Sequence, residues 1–95
     1  MGDVDTGLVN QYATRVHQLA VKAQHGADVN AELGSTVADA VDQFALVHNP
    51  AAQLEAFIGQ LKFNAELIRD KSPVHADILL CATTMASRAS SEPGA

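Results

Sequence analysis

The sequence predicts an all-α fold, a small antiparallel bundle of about four helices, and three observations lead to that prediction. Apolar residues recur at steps of three and four along most of the 95 residues, which is the period of a helix face. The pairs Asn49-Pro50 and Ser72-Pro73 divide the pattern, because the residue before proline is disfavoured in a helix whereas proline suits the first helical position. The short link at Lys71-Ser72 joins two apolar-striped segments, which favours a C-terminal helical hairpin.

The first helix is predicted from about Thr6 to His25, and Gly26 supplies its C-terminal stop. From Gly26 to Gly34 the apolar period lapses, so a loop is expected there. The residues of the first helix that recur on one face are Leu8, Tyr12, Val16, Leu19 and Ala23.

The second helix is predicted to begin near Ser35 or Thr36, where Thr36 and Asp39 have the spacing of a capping box. It should end before Pro50. Its apolar face comprises Val37, Val41, Phe44 and either Val47 or His48.

The third and fourth helices carry the clearest apolar seams. The third is predicted from Pro50 to about Asp70 and the fourth begins after Ser72, with fraying expected over residues 88–95, which are small and polar. The third-helix seam is Leu54, Ile58, Leu61, Ala65 and Ile68, and the fourth-helix seam is Val74, Ile78, Cys81, Met85 and Ala89.

Composition restricts the function classes. A chain of 95 residues makes one domain, residues 1–95. The net charge of −5 argues against nucleic acid as a partner, because such binding depends on Lys and Arg neutralising phosphates. No apolar run reaches the roughly 18 residues of a membrane span. The acidic N-terminus does not resemble a signal peptide, so a cytoplasmic protein is expected, although export without a cleaved signal is compatible with the sequence.

The third helix has a second apolar side. At about 100° per residue, Phe63 falls opposite Leu54, with Ala56 and Leu67 close to it. Leu79 and Leu80 lie next to the fourth-helix seam and, like Phe63, are apolar residues outside the predicted contact between the two helices. Two interpretations remain open: the first two helices cover this side inside a four-helix bundle, or Ala56, Phe63, Leu67, Leu79 and Leu80 form an interaction surface.

No motif in the sequence indicates a catalytic or cofactor-binding site, so no enzyme activity, catalytic residue or cofactor is predicted. None of the four histidines is paired at i, i+3 or i, i+4 with another His, Cys or carboxylate inside a predicted helix, and no metal site is expected. Cys81 stands alone among apolar residues and is expected to be a buried, inert thiol. An alternative function rests on His17-Gln18-Leu19, which resembles the phosphorylated helix of histidine phosphotransfer domains; there His17 would be the phosphoacceptor, although Ala20 and Val21 stand where Lys and Gly are expected.

The third helix also resembles part of a known family. Asn49-Pro50, Leu54, Leu61, Phe63-Asn64 and Ser72 are similar to the C-terminal half of needle and inner-rod subunits of bacterial type III secretion systems. The resemblance covers about 40 residues, and Leu61 and Ser72 are one place out of register. It implies a secreted helical subunit that polymerises through its terminal helix.

These observations favour a non-catalytic protein that acts through apolar helix faces, such as a secretion-apparatus subunit or a small chaperone. Its partner would be another protein or a second copy of itself, and homo-oligomerisation is favoured because a thin aliphatic core gains from further burial.

Overall fold

The computed structural model describes residues 6–47 and 49–91, and this part of the chain forms four α-helices and no strand. The helices are α1 (Thr6–Gln24), α2 (Asn30–Ala45), α3 (Pro50–Ile68) and α4 (Pro73–Ser91). The prediction of a small all-α bundle is therefore confirmed. None of these helices combines the length and the hydropathy that crossing a membrane requires.

Helices α1 and α2 run antiparallel, and so do α3 and α4. Tyr12 near the start of α1 contacts Asp39 in the second half of α2, and Lys22 at the end of α1 contacts Glu32 at the start of α2. In the second pair, Lys62 of α3 shares a cleft with Thr84 of α4, whereas the α3–α4 turn lies near residue 70. The C-terminal hairpin is thus present as expected.

Helix α4 packs against each of the other three helices. Its buried face is built mainly from small side chains, Ala76, Ala82 and Ala86, which lie around a fully buried Leu79. Small side chains let neighbouring helices approach closely. The rest of the buried apolar core is Val9, Tyr12, Ala13, Val16, Leu19, Ala20, Val29, Leu33, Val37, Ala40, Phe44, Phe57, Leu61 and Ala65.

Three aromatic rings join the first three helices. Tyr12 meets Phe44 edge to face with ring centroids 5.9 Å apart, and Phe44 meets Phe57 at 5.3 Å. Edge-to-face pairs contribute about 0.5–1.5 kcal/mol beyond the burial of their area. The cluster fixes how α1, α2 and α3 pack together.

The bundle is thin in one direction. Its extents are 36 × 31 × 18 Å, and packed helix axes are about 8–10 Å apart, so the short dimension holds only two layers of helices. Each helix consequently keeps an outward side, and the character of those sides decides what the protein can bind.

Helix α2 begins at Asn30, so the loop predicted from Gly26 to Gly34 is shorter than expected. The Asp28 side chain accepts a hydrogen bond from the backbone N–H of Asn30 at 3.1 Å, and Leu33 is fully buried. Burial of Leu33 therefore holds the early turn in place. Thr36 is a buried residue inside α2, so the predicted capping box with Asp39 is wrong.

The predicted face of α4 was also wrong by a partial turn. Leu79 and its small neighbours face the core, whereas Ile78, Cys81 and Met85 are only partly buried and Val74 is exposed. The pattern was misread because alanine carries little apolar weight in a sequence yet packs well beneath a close neighbour. The helix continues to Ser91, so the fraying predicted from residue 88 is not seen over residues 88–91. Residues 92–95 lie outside the described part of the chain.

Candidate functional site

The second apolar side of α3 is exposed. Phe63 and Leu67 lie one turn apart, and their exposed fractions are 65% and 63%. Ala56 lies two turns before Phe63 and is partly buried against the core. The interpretation that α1 and α2 cover this side is therefore wrong, because those helices pack on the opposite side, which carries Phe57 and Leu61.

A gap in this surface lies one turn before Phe63. Gly59 is exposed, and a Cβ atom added to it would meet nothing within 4 Å. Along one stripe of α3, two small residues at positions 56 and 59 are therefore followed by two large side chains at positions 63 and 67. We call the residues Ala56, Gly59, Phe63 and Leu67 the α3 stripe.

The two α4 residues expected on the same surface lie elsewhere. Leu79 is fully buried in the core and cannot serve as a contact residue in the folded chain. The sequence pattern predicts that Ile78 faces the core and that Leu79, the next residue, faces outward. The core-facing side of α4 is instead rotated from that seam toward Leu79. Leu80 is partly buried and packs against the core. Of the five predicted interaction residues, only Phe63 and Leu67 are extensively exposed.

Charged residues occupy one flank of the stripe. Glu55, Lys62, Glu66 and Arg69 are all exposed and follow one another along α3 with alternating sign. Within the chain, Arg69 approaches Glu66 at 3.6 Å, with more than half of each side chain exposed. Such pairs contribute little to stability because water screens them, so these charges are available to a partner.

A second group of polar residues lies where α1, α3 and α4 meet. Nδ1 of His17 is 2.8 Å from Nε2 of His75, and Nε2 of His17 is 3.4 Å from the amide nitrogen of Asn64. The two imidazole rings are tilted by 48° with centroids 5.1 Å apart. The histidine side chains are partly buried. We call His17, His75 and Asn64 the histidine cluster.

The Asn64 hydrogen bond determines which ring nitrogen of each histidine carries the proton. If the Asn64 amide donates to Nε2 of His17, the neutral ring carries its proton on Nδ1 and donates it to Nε2 of His75. The remaining proton of His75 is then on its Nδ1. Burial lowers the pKa of His17, and the neighbouring His75 lowers it further; burial also lowers the pKa of His75. Both pKa values therefore lie below 6.5, and the neutral form of each ring predominates at pH 7.

Sequence spacing gave no indication of the histidine cluster. His17 and His75 are separated by 58 positions, and helical spacing compares only residues within one helix. The one available signal was that His17 directly follows the core residue Val16, at the border of the α1 face. A polar residue at such a border is placed to meet the next helix.

Other predicted features have simpler outcomes. Both ring nitrogens of His17 face neighbouring side chains, and phosphorylation of this residue stays a prediction. Cys81 is partly rather than fully buried. Within the described residues, no three His, Cys, Asp or Glu side chains are grouped so as to hold a metal ion. The Nδ1 of His25 donates a hydrogen bond to the Val21 carbonyl oxygen at 2.8 Å.

The chain was compared with protein-family models, with curated proteins and with solved structures, and none of them matches it.

Proposed function

We propose that this protein is a non-catalytic assembly protein that pairs with a second copy of itself through the α3 stripe. The observation that carries the proposal is the exposure of Phe63 and Leu67, two large apolar side chains one turn apart on a helix. Single exposed apolar residues are ordinary on protein surfaces, whereas adjacent ones beside a gap favour a contact.

A second copy suits the stripe because the stripe is complementary to itself. An antiparallel two-fold pairing of α3 centred on Phe63 places positions at equal distances before and after that residue opposite each other. Leu67 then lies over the open space at Gly59 of the second copy, and the two Phe63 rings meet. The small part of one stripe receives the large part of the other.

The charged flank supports the same arrangement. In an antiparallel two-fold pair each flank faces its own copy. Lys62 then lies within about 3 Å, along the helix axis, of the level of Glu66 in the second copy, and Glu55 has the same offset from Arg69, since each residue adds about 1.5 Å. Both of these cross-pairs have opposite charges, whereas the two Lys62 side chains have the same offset from each other, so each Lys62 lies between the Lys62 and the Glu66 of the second copy. A parallel pairing would instead place this flank against the side that carries the uncharged Gln60 and Asn64.

The expected affinity is modest. Full burial of a Leu or Phe side chain stabilises by about 1.5–3 kcal/mol, and about two thirds of each side chain is exposed. Four such side chains in a dimer therefore contribute about 4–8 kcal/mol before the cost of association is subtracted. A dissociation constant of about 1 μM or weaker follows. The resemblance to needle and inner-rod subunits, which stays a prediction, likewise implies that Phe63 and Leu67 are assembly contacts.

Sedimentation equilibrium across a concentration series tests the stripe. We expect the wild-type chain to dimerise, and Phe63→Asp or Leu67→Asp to remain folded but monomeric. Leu46→Asp is the matched control, because Leu46 is 79% exposed and lies at the end of α2, on a different helix from the stripe. A wild-type chain that stays monomeric at millimolar concentration, or a dimer that survives Phe63→Asp, would overturn the proposal.

Charge exchange tests the arrangement. Lys62→Glu alone and Glu66→Lys alone each place like charges opposite each other twice in a homodimer, whereas a mixture of the two variants restores opposite charges in a heterodimer. Exposed pairs are worth about 0.2–1 kcal/mol each, so each homodimer should weaken by roughly twofold to thirtyfold. Preferential heterodimer formation, measured with one variant fluorescently labelled, supports the antiparallel pairing. Equal homodimer and heterodimer affinities contradict it.

A further inference from the structure

We propose that His17 and His75 form a binding site for one divalent transition-metal ion, and that Asn64 positions His17 for this role. The site is independent of the α3 stripe. It rests on two imidazole nitrogens, from α1 and α4, that converge to 2.8 Å on each other in a partly buried position. The fold therefore has already brought two metal-ligating atoms together from distant parts of the chain.

The geometry suits an ion that replaces the shared proton. A tetrahedral zinc ion with Zn–N distances of about 2.0–2.1 Å holds two ligand nitrogens roughly 3.3 Å apart. The nitrogens of His17 and His75 would need to separate by about 0.5 Å, and both rings would need to turn so that the two nitrogens, which now face each other along the line between the ring centres, point at the ion. The neutral form of each ring, which is the form that binds metal, predominates at pH 7.

Asn64 can satisfy His17 both with and without the ion. In the metal-free state its amide NH₂ donates to Nε2 of His17 at 3.4 Å. When Nδ1 binds a metal, the proton of the neutral ring resides on Nε2, and Nε2 then donates to the amide oxygen after the amide rotates. Metal-bound histidines usually donate their second N–H to an oxygen in this manner, which fixes the orientation of the ring.

The ligands indicate the class of ion. Imidazole nitrogen suits Zn²⁺, Ni²⁺ and Cu²⁺, whereas Mg²⁺ and Ca²⁺ require oxygen ligands. No third His, Cys, Asp or Glu joins the pair among the described residues, so water completes the coordination of the ion. The partial exposure of both rings leaves room for that water.

Calorimetric titration of the chelator-treated chain with Zn²⁺ at pH 7.5 tests the site. We expect one ion per chain and a rise in the thermal unfolding midpoint, because a ligand that binds only the folded state stabilises it. His17→Gln and His75→Gln should each remove both effects. The double variant His25→Gln/His48→Gln, and separately Cys81→Ser, should retain them. Loss of binding in these controls, or its retention in His17→Gln, would overturn the proposal.

Substitution of Asn64 separates positioning from folding. Asn64→Leu removes the acceptor, and loss of such a partner lowers metal affinity by about 10–100-fold. Asn64→Asp supplies a carboxylate acceptor and should restore or strengthen binding. Circular dichroism confirms that both variants are folded, and the comparison stands even if a histidine variant does not fold. Equal Zn²⁺ affinities for Asn64→Leu and Asn64→Asp would show that Asn64 does not position His17.

Discussion

At the scale of single residues, the neutral histidine pair links folding to pH. The pKa values of His17 and His75 are lower in the folded chain than their ordinary value of 6.5. Between the lowered values and 6.5, the unfolded chain binds more protons than the folded chain, so the free energy of unfolding decreases as pH falls. The contribution of the pair is fully present above about pH 7.

Urea unfolding at pH 7.5 and 5.5, with metal removed by a chelator, measures this dependence. We expect the wild-type chain to lose more stability between the two pH values than the variant His17→Gln/His75→Gln loses. Groups elsewhere in the chain contribute equally to both proteins, so the difference isolates the pair. Identical losses would mean that the two rings titrate alike in the folded and unfolded chains.

The sequence placed Phe63 and Leu67 together on one side of α3, although it left the exposure of that side open and did not single out Gly59. It did not indicate the histidine cluster, and the reason is geometric. Phe63 and Leu67 share one helix with Leu54, so the turn per residue alone places them on opposite sides. The meeting of His17 with His75 and Asn64 depends instead on how three helices pack, which spacing within one helix does not encode.

At the scale of elements, two glycines have opposite roles. Gly26 ends α1 with φ of +93°, and it donates to the Ala23 carbonyl at 3.0 Å while Ala27 donates to the Lys22 carbonyl at 3.1 Å. This is the Schellman arrangement. Gly34 lies inside α2. A Cβ atom at either position meets nothing within 4 Å, so substitution by alanine tests the backbone alone.

We expect Gly26→Ala to lower the free energy of unfolding by about 1–2 kcal/mol, because L-residues are strained in the left-handed region. Gly34→Ala should raise it by about 0.5–1 kcal/mol, because alanine favours the helix and restricts the unfolded chain. For a domain of this size, the midpoint temperature of thermal unfolding should shift by about 4–8 °C for each kcal/mol of change in the free energy of unfolding. A change of the same sign in both variants would contradict this reading.

The presence of each helix was easier to predict than its end residues or the side that faces the core. The regions predicted as α1 and α3 agree with the structure to within about two residues, because Gly26 and Pro50 mark their ends directly. The start of α2 was placed too late because Leu33, which holds its first turn, precedes the strong apolar period. The face of α4 was misplaced because its core contacts are mainly alanines.

At the scale of the whole molecule, α4 completes the cores of all three other helices. Every other helix therefore buries part of its apolar face against α4, and unfolding should be cooperative. We expect backbone amides near Leu79 and Ala82 to exchange hydrogen only through global unfolding. Their opening free energies, measured by native-state hydrogen exchange, should equal the free energy of unfolding from urea.

The variant Leu79→Ala checks that link. Truncation of a fully buried leucine costs about 2–5 kcal/mol, and the protection of buried amides in α1, α2 and α3 should decrease by the same amount as that in α4. A loss of protection confined to α4 would mean that the first three helices hold together without it. Ala89→Gly, on the exposed side of α4, is the control for weakening the helix alone.

The tyrosine in the aromatic cluster gives the chain a built-in optical reporter. The sequence contains one Tyr and no Trp, so the intrinsic emission of the folded chain comes from a single, buried ring. The Tyr12 hydroxyl donates to the Asp39 carboxylate at 2.8 Å, and a carboxylate acceptor quenches phenol emission. Release of that contact on unfolding should therefore brighten the signal. None of the substitutions proposed above changes Tyr12, Asp39 or Phe44, so the unlabelled variants can be compared on one fluorescence scale.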